Sequence, residues 1–446
     1  MKGEYRMRWN LEYSIRSYIR GSMWLVPLAA LLFYFVFHRI TNAIGNWLVR
    51  TGRLDPETSY FGLSLPGVRS MLETVITLNL SFLVFTFGSL LVAIQVAGGQ
   101  YTPRIIATTL LRDNVIRFTV GCFVFTMVFA LRVLSRMDDE ILQFNTFVAM
   151  MFGTISIMVF LYLIDYAARF LRPVSIVAEV GKSGVAVVQS VYPEQTIRPS
   201  PAEPIRGRGP LTRIVVNVGA PGVVLAVDLD GLAKHARRAN GVIEFVPQVG
   251  DFLSVDEPLF RLHGGAGAID DAKLREAVVL ATERTMEQDP TFAFRILVDI
   301  AIKALSAAIN DPTTAVLAID QLHRLLRVVG LRKLRGEELC DEAGELRLVF
   351  RTPNWEDYVH LACTEIRHCG AGSIQIMRRM RSMLENLMQT LPPHRHAELR
   401  RQLDLLDRTI EGHYKFAEDR VLARIADPQG LGGAVGMQAA VDDATV

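Results

Sequence analysis

Two cysteines and two histidines lie close together near the end of the chain and could in principle bind zinc. They are Cys363, Cys369, His360 and His368. Structural zinc sites usually contain cysteine pairs separated by only two residues, and this segment has no such pair. We therefore favour the alternative, buried thiols and surface histidines on one helix. The sequence predicts no metal and no cofactor.

Two acid–proline pairs, Asp289-Pro290 and Asp311-Pro312, could form a metal or phosphate site with Asn310. An aspartate followed by proline is also the usual start of a helix, because the carboxylate caps free N–H groups and proline suits the first helical position. We favour these structural caps, with helices over 290–308 and 312–329. The triplet at 181–183 lacks the upstream glycine of a phosphate-binding loop. No nucleophile–base pair is recognisable either, so we expect no enzyme.

The composition separates the chain into two unlike parts. The chain has 446 residues, of which 50% are hydrophobic and 21% are charged. Long apolar blocks dominate up to residue 170, and charged residues are frequent after residue 172. A step of this kind predicts a membrane part joined to a soluble part. The net charge of +2 argues against a nucleic-acid partner.

Four apolar blocks are long enough to cross a bilayer. We place them at residues 23–48, 73–97, 118–134 and 142–164. We see no acidic or basic residue in the middle of a span, which argues against a proton-coupled carrier. Asp165, at the end of the fourth block, is expected to pair with Arg169 at the interface.

The positive flanks predict the orientation of these spans. Lysine and arginine accumulate before the first span, between the second and third, and after the fourth. Both termini should therefore face the cytoplasm, in a multi-pass protein of a bacterial inner membrane. In the loop between spans two and three, Thr102 caps Pro103 and predicts a short amphipathic helix on the membrane surface.

Polar and small residues form stripes on two of the spans. Candidates for pore lining or helix packing in the second span are Thr74, Thr77, Ser81, Gly88 and Gln95, and in the fourth span Asn145, Gly153 and Ser156. Small residues allow close helix packing, whereas polar residues can also line a water-filled path. We favour packing, and leave open a path within one subunit or at the axis of an oligomer.

The soluble half predicts an α+β domain. Residues 173–210 are interpreted as a partly ordered connector and 211–265 as a small β-module resembling a barrel. Residues 266–426 are interpreted as a helical bundle, with one helix over 270–288 and the last over 394–425. The four-span membrane domain covers 1–172, and the tail over 427–446 is predicted to be disordered.

One long run carries a resemblance to a known family. RTMEQDPTFAFRILVDIAIKALSAAINDPTTAVLAIDQLHRLL, at 284–326, resembles the signature of a bacterial family of predicted membrane proteins, domain-of-unknown-function family 2254. GGQYTPRII and GVVLAVDLDGLAKHAR with VGDFL are similar to further blocks of that family. Ala307 stands where the family pattern has proline. The resemblance implies a bacterial inner-membrane protein with four spans and a cytoplasmic domain, and implies no catalytic or binding residue.

Three functional classes remain open after the sequence is read. The first is an oligomeric channel-like or flux protein with a cytoplasmic assembly or gating domain. The second is a membrane-anchored scaffold or sensor for an unidentified cytoplasmic ligand or protein. The third, ranked last, is an enzyme at the membrane surface. We expect the lipid bilayer and further copies of the same chain as partners, since four spans enclose little interior.

Overall fold

The computed structural model describes residues 9–53, 65–100, 113–136, 143–170, 172–195, 207–334 and 336–433. The chain forms two compact units. The membrane unit comprises residues 18–99 and 105–175. The α/β unit comprises residues 1–17, 100–104 and 176–446.

Long apolar helices form the membrane unit. After α1 (Trp9–Gly21), which contributes residues to both units, come α2 (Leu25–Arg50), α3 (Leu65–Gln100), α4 (Asn114–Leu134) and α5 (Gln143–Phe170). The helices α2 to α5 contain the four predicted spans. Among the described residues, however, five helices are long and apolar enough to cross a membrane, and the fifth is α6 (Pro173–Val191).

Aromatic side chains pack the interior of the membrane unit at two levels. Phe37 of α2 lies edge-on to Phe125, Phe129 and Phe152, with ring centroids 5.4 to 5.7 Å apart. A second cluster contains Phe82, whose ring stacks on Phe160 at 4.0 Å. Offset and edge-on aromatic contacts of this kind stabilise a bundle beyond the simple burial of area.

Residues 173–191, the first half of the predicted partly ordered connector, form the continuous helix α6. Its small face packs on other helices of the α/β unit: a Cβ atom at Gly184 would lie 2.8 Å from Ala293 Cβ, and one at Gly181 would lie 2.2 Å from Gln321 Oε1. The glycines of α6 permit this close helix approach. The proline-rich stretch at 196–206 lies outside the described residues.

The α/β unit contains two sheets. The strands are β1 (Leu211–Val216), β2 (Gly222–Val227), β3 (Gly241–Phe245), β4 (Phe252–Leu253), β5 (Pro258–Gly264), β6 (Val278–Ala281), β7 (Glu338–Cys340) and β8 (Leu346–Phe350). One sheet has the order β1-β5-β3-β8-β7, with β3 and β8 parallel, and the other has the order β4-β2-β6. A barrel-like module is not confirmed, because both sheets take strands from beyond residue 265.

The helix predicted over 270–288 is replaced by two elements. A short helix, α8 (Asp271–Arg275), is followed by β6, which pairs with β2. The run Val278, Val279 and Leu280 favours a strand once a partner is present, because β-branched side chains pack well on a sheet. Another helix, α7 (Leu229–Arg238), lies between β2 and β3.

A helical bundle completes the unit. Its helices are α9 (Pro290–Ala304), α10 (Pro312–Gly330), α11 (Trp355–Cys369), α12 (Ile374–Thr390), α13 (His396–His413) and α14 (Ala417–Ala423). The predicted helix over 394–425 is therefore interrupted at residues 414–416. The helix α9 also ends four residues earlier than predicted, and Asn310 then adopts a positive φ of 49°.

The beginning of the predicted disordered tail is ordered. The Asp427 carboxylate accepts hydrogen bonds from the backbone N–H groups of Gln429, Gly430 and Gly432 at 2.7 to 3.0 Å. Arg378 of α12 is fully buried and donates to the carbonyl oxygen of Gly433 at 2.9 Å. The composition of the tail, rich in glycine and alanine, gave no indication of these local hydrogen bonds. Residues 434–446 lie outside the described part of the chain.

Candidate functional site: polar positions of the membrane helices

The polar stripe of α3 lies on the outside of the membrane unit. Thr74, Thr77, Ser81, Gly88 and Gln95 are all exposed in the single chain. Spacings of three, four and seven residues place them on one face over more than two heptads. Among the described atoms, none would lie within 4 Å of a Cβ at Gly88. These residues therefore do not pack the described helices of one chain against each other.

The three hydroxyl groups of this stripe bond to their own helix. Thr74 donates to the carbonyl oxygen of Ser70, Thr77 to that of Glu73, and Ser81 to that of Thr77, each at 2.8 Å. Each hydroxyl is thus satisfied without a neighbouring helix. These three hydroxyl groups can consequently face lipid, a second copy of the chain or water without an unpaired donor.

The stripe of α5, in contrast, is buried inside the unit. The Asn145 side chain donates to Asn42 Oδ1 at 2.6 Å, and Ser156 donates to Thr126 Oγ1 at 3.2 Å. At Gly153, a Cβ atom would lie 2.6 Å from a methyl group of Val75. These positions therefore pack helices within one chain, which the sequence could not distinguish from the exposed stripe of α3.

An ionisable residue belongs to this buried network. His38 and Arg39 lie in the middle of α2, so the prediction that no span carries a basic residue there was wrong. Asn42 Nδ2 contacts His38 Nε2 at 3.0 Å, and Asn42 in turn accepts from Asn145. The spacing of four between His38 and Asn42 was the available sequence signal.

Several buried polar atoms in the membrane unit have no hydrogen-bond partner within the described structure. Among them are His38 Nδ1, Asn79 Oδ1, Asn145 Oδ1 and Thr146 Oγ1. Asn79 is 1% exposed and Asn145 is 2% exposed. Buried polar groups normally bond to protein or water, and an unpaired group in hydrocarbon is costly. The interior therefore offers binding positions for water or a small polar species.

The predicted caps occupy helix starts in the α/β unit. Asp289 accepts from the Phe292 backbone N–H at 3.2 Å, and Asp311 accepts from that of Thr314 at 3.0 Å. The Asp289 carboxylate also accepts from Arg284. Thr102, together with the predicted surface helix, lies outside the described residues.

The cysteine and histidine positions near residue 365 do not converge. Cys363 is buried and Cys369 is exposed. Among the described residues, no group of three or more His, Cys, Asp or Glu side chains could hold a metal ion. Burial raises the pKa of the Cys363 thiol to about 12.

At the end of α5, Asp165 and Arg169 form an exposed ion pair.

The comparisons with known proteins identify a family. A family model described as predicted membrane protein, domain-of-unknown-function family 2254, matches residues 20–386. The match covers more than half of the chain, so the chain belongs to this family. It is 23% identical over 427 residues to uncharacterized proteins of Mycobacterium tuberculosis (strain H37Rv) and Mycobacterium bovis, covering 93% of this chain and 81% of each relative. No solved structure matches the chain.

Proposed function

We propose that this member of the family is an oligomeric, channel-like flux protein of a bacterial inner membrane. In this proposal the α3 helices of several copies meet at the oligomer axis. The α/β unit lies in the cytoplasm, where it assembles or gates the path. The observation that carries the proposal is the polar stripe of α3, which no other described part of the chain covers.

Small and polar positions interrupt the apolar surface on this face of α3. Ser81 and Gly88 present little apolar surface, and they share the face with the exposed apolar side chains of Phe85 and Val92. A second copy of the helix could pack closely at Gly88, and the hydroxyls above it could face water. The unpartnered atoms of Asn79 and Asn145 add support, because they favour hydration within the same unit.

Four spans, rather than five, cross the membrane in this proposal. The helix α6 is apolar enough to span, but its glycine face packs on α9 and α10 of the α/β unit. Glu179, Lys182 and Gln189 of the same helix would have to lie in hydrocarbon if α6 crossed the bilayer. With four spans both termini lie on one side, and the positive flanks place that side in the cytoplasm.

Ion flux from liposomes containing the full-length protein tests the proposal. Ser81→Leu and Gly88→Leu should reduce flux to that of empty liposomes, because leucine would fill the axis. The control is Thr154→Leu, at an exposed position of α5 whose hydroxyl bonds to its own helix at 3.1 Å. This control should keep its flux.

Cross-linking of the same samples distinguishes a stripe that lines a pore from a stripe that only packs the helices of neighbouring subunits. Loss of flux with the oligomer intact would support a pore at α3. Loss of the oligomer in both leucine variants would mean that the stripe only packs helices. Absence of flux from inserted, folded wild-type protein under several ions and an osmotic step would refute the channel.

A second candidate is a membrane-anchored sensor or scaffold. The observation that favours it is a polar cavity of about 580 Å³ within the α/β unit. A sensor would bind its ligand there and show no flux in the liposome experiment.

A further inference from the structure

A cavity opens at one end of the central strands of the five-stranded sheet in the α/β unit. Its volume of about 580 Å³ lies within the range typical of small-molecule sites. The strands β3 and β8 run parallel, and β5 runs antiparallel to β3. The starts of β3 and β8 and the end of β5 therefore lie side by side and line the cavity. Residues 207–209, which precede β1, complete the wall.

The main chain around this cavity is unusual. Three of its lining residues have positive φ: Gly209 at 75°, Asn240 at 47° and Gly264 at 59°. Asn240 directly follows the C-cap of α7, a position where asparagine commonly adopts this conformation. Glycine walls also allow a ligand to approach backbone N–H and C=O groups closely.

Two arginines from different segments face the cavity. Arg347, at the start of β8, is held by Asp341 at 2.8 Å and by Asn240 Oδ1 at 3.2 Å. Its side chain is 13% exposed, so the guanidinium is fixed in orientation. Arg208, on the opposite segment, is 40% exposed and pairs with Glu244 at 3.3 Å.

Glu244, the carboxylate that pairs with Arg208, also has other cationic partners. Glu244 is paired with both Arg208 and Arg261, the latter at 3.2 Å, and His263 Nε2 lies 3.5 Å from it. Two arginines thus share one largely buried carboxylate. Fixed guanidinium groups recognise phosphate through paired hydrogen bonds. At the rim, the exposed Glu345 can accept hydrogen bonds from hydroxyl groups.

We propose that this cavity binds a phosphate monoester that carries hydroxyl groups, such as a sugar phosphate. Arg208 and Arg347 bind the phosphate, and Glu345 with the glycine main chain binds the hydroxyl groups. The proposal does not depend on flux, because it concerns a site contained in the α/β unit.

Isothermal titration of the full-length protein in detergent tests the site. The probes are ribose 5-phosphate, inorganic phosphate and ribose. Ribose 5-phosphate should bind, inorganic phosphate should bind more weakly, and ribose should give no heat of binding. If inorganic phosphate bound as tightly as ribose 5-phosphate, the site would recognise the free anion and the proposal of a phosphate ester would be wrong. Absence of binding by both phosphates would overturn the site.

Two substitutions locate the binding, and a third controls for charge. Arg208→Gln should weaken ribose 5-phosphate binding about tenfold, because one charged hydrogen-bond donor is lost. Arg347→Lys keeps the charge but loses the planar fork, and should weaken it to a similar degree. Arg237→Gln is the control, since Arg237 is 59% exposed and pairs outside the cavity with Glu342. An equal loss in all three variants would overturn the site in favour of general electrostatic attraction.

Discussion

The position of α6 can be tested with one glycine, because its two alternative environments predict opposite results. Gly184→Leu places a side chain where even a Cβ atom would lie 2.8 Å from Ala293 and 3.1 Å from Leu325 Cδ2. Overpacking of a close contact typically costs about 1–3 kcal/mol, so we expect destabilisation of about 2 kcal/mol. For a domain of this size the melting temperature should fall by roughly 4–8 °C. In lipid, by contrast, leucine would favour insertion of the helix.

The assay is thermal unfolding of the detergent-solubilised protein followed by circular dichroism. The matched control is Ala186→Leu, which lies on the exposed side of the same helix and should change the melting temperature little. A second readout is maleimide labelling of Lys182→Cys in intact liposomes, in a Cys369→Ser background, since Lys182 is 75% exposed. A stable Gly184→Leu protein, together with protection of the cysteine introduced at position 182 by lipid, would refute the packing of α6 on α9 and α10.

Two further predictions concern the α/β unit. Chemical denaturation should show that Asp289→Ala lowers the free energy of unfolding by about 2 kcal/mol and Asp311→Ala by about 1 kcal/mol. Both variants lose a helix cap, but only Asp289 also accepts a hydrogen bond from Arg284. Equal losses would show that the contact with Arg284 adds no stability. Because burial raises the pKa of Cys363 to about 12, the thiol stabilises the folded state below its ordinary pKa of 9.0, and this contribution is lost as the pH rises through 12. Titration with a thiol reagent at pH 8 should therefore modify Cys369 quickly and Cys363 only after unfolding. A folded wild-type protein that consumes one more equivalent of reagent than Cys363→Ser would contradict this.

Local signals in the sequence predicted the helix starts well. Asp289 and Asp311 begin α9 and α10 because capping depends on residues within one turn. The second sheet was not predicted in full, since β6 acquires its strand conformation by pairing with β2, which lies much earlier in the chain. Such pairing is a tertiary effect that a helical period in the same segment conceals.

The span count shows a related limit. Apolarity alone does not separate a lipid-facing helix from one buried against protein, because both environments favour the same side chains. In α6 the distinguishing feature is the pair Gly181 and Gly184, which allow close contact on one face. The opposite face carries Lys182 and Gln189, so the helix is amphipathic in a way that α5 is not. The spacing of these residues along the sequence already contained this information.

The two polar stripes also look alike in sequence but differ in what they can do. A repeat of seven fixes which residues share a face and does not fix whether that face points inward. In the structure, Asn145 and Ser156 bond to side chains on other helices, whereas Ser81 bonds to its own backbone. A contact made by side chains from two helices resists rearrangement, because breaking it would leave a polar group unpaired in the membrane. The α3 face has no such constraint within the described residues and can exchange lipid, a second helix or water at little cost in hydrogen bonding. This freedom is compatible with a subunit interface or a pore lining, and for this reason the proposed path runs along α3 rather than α5.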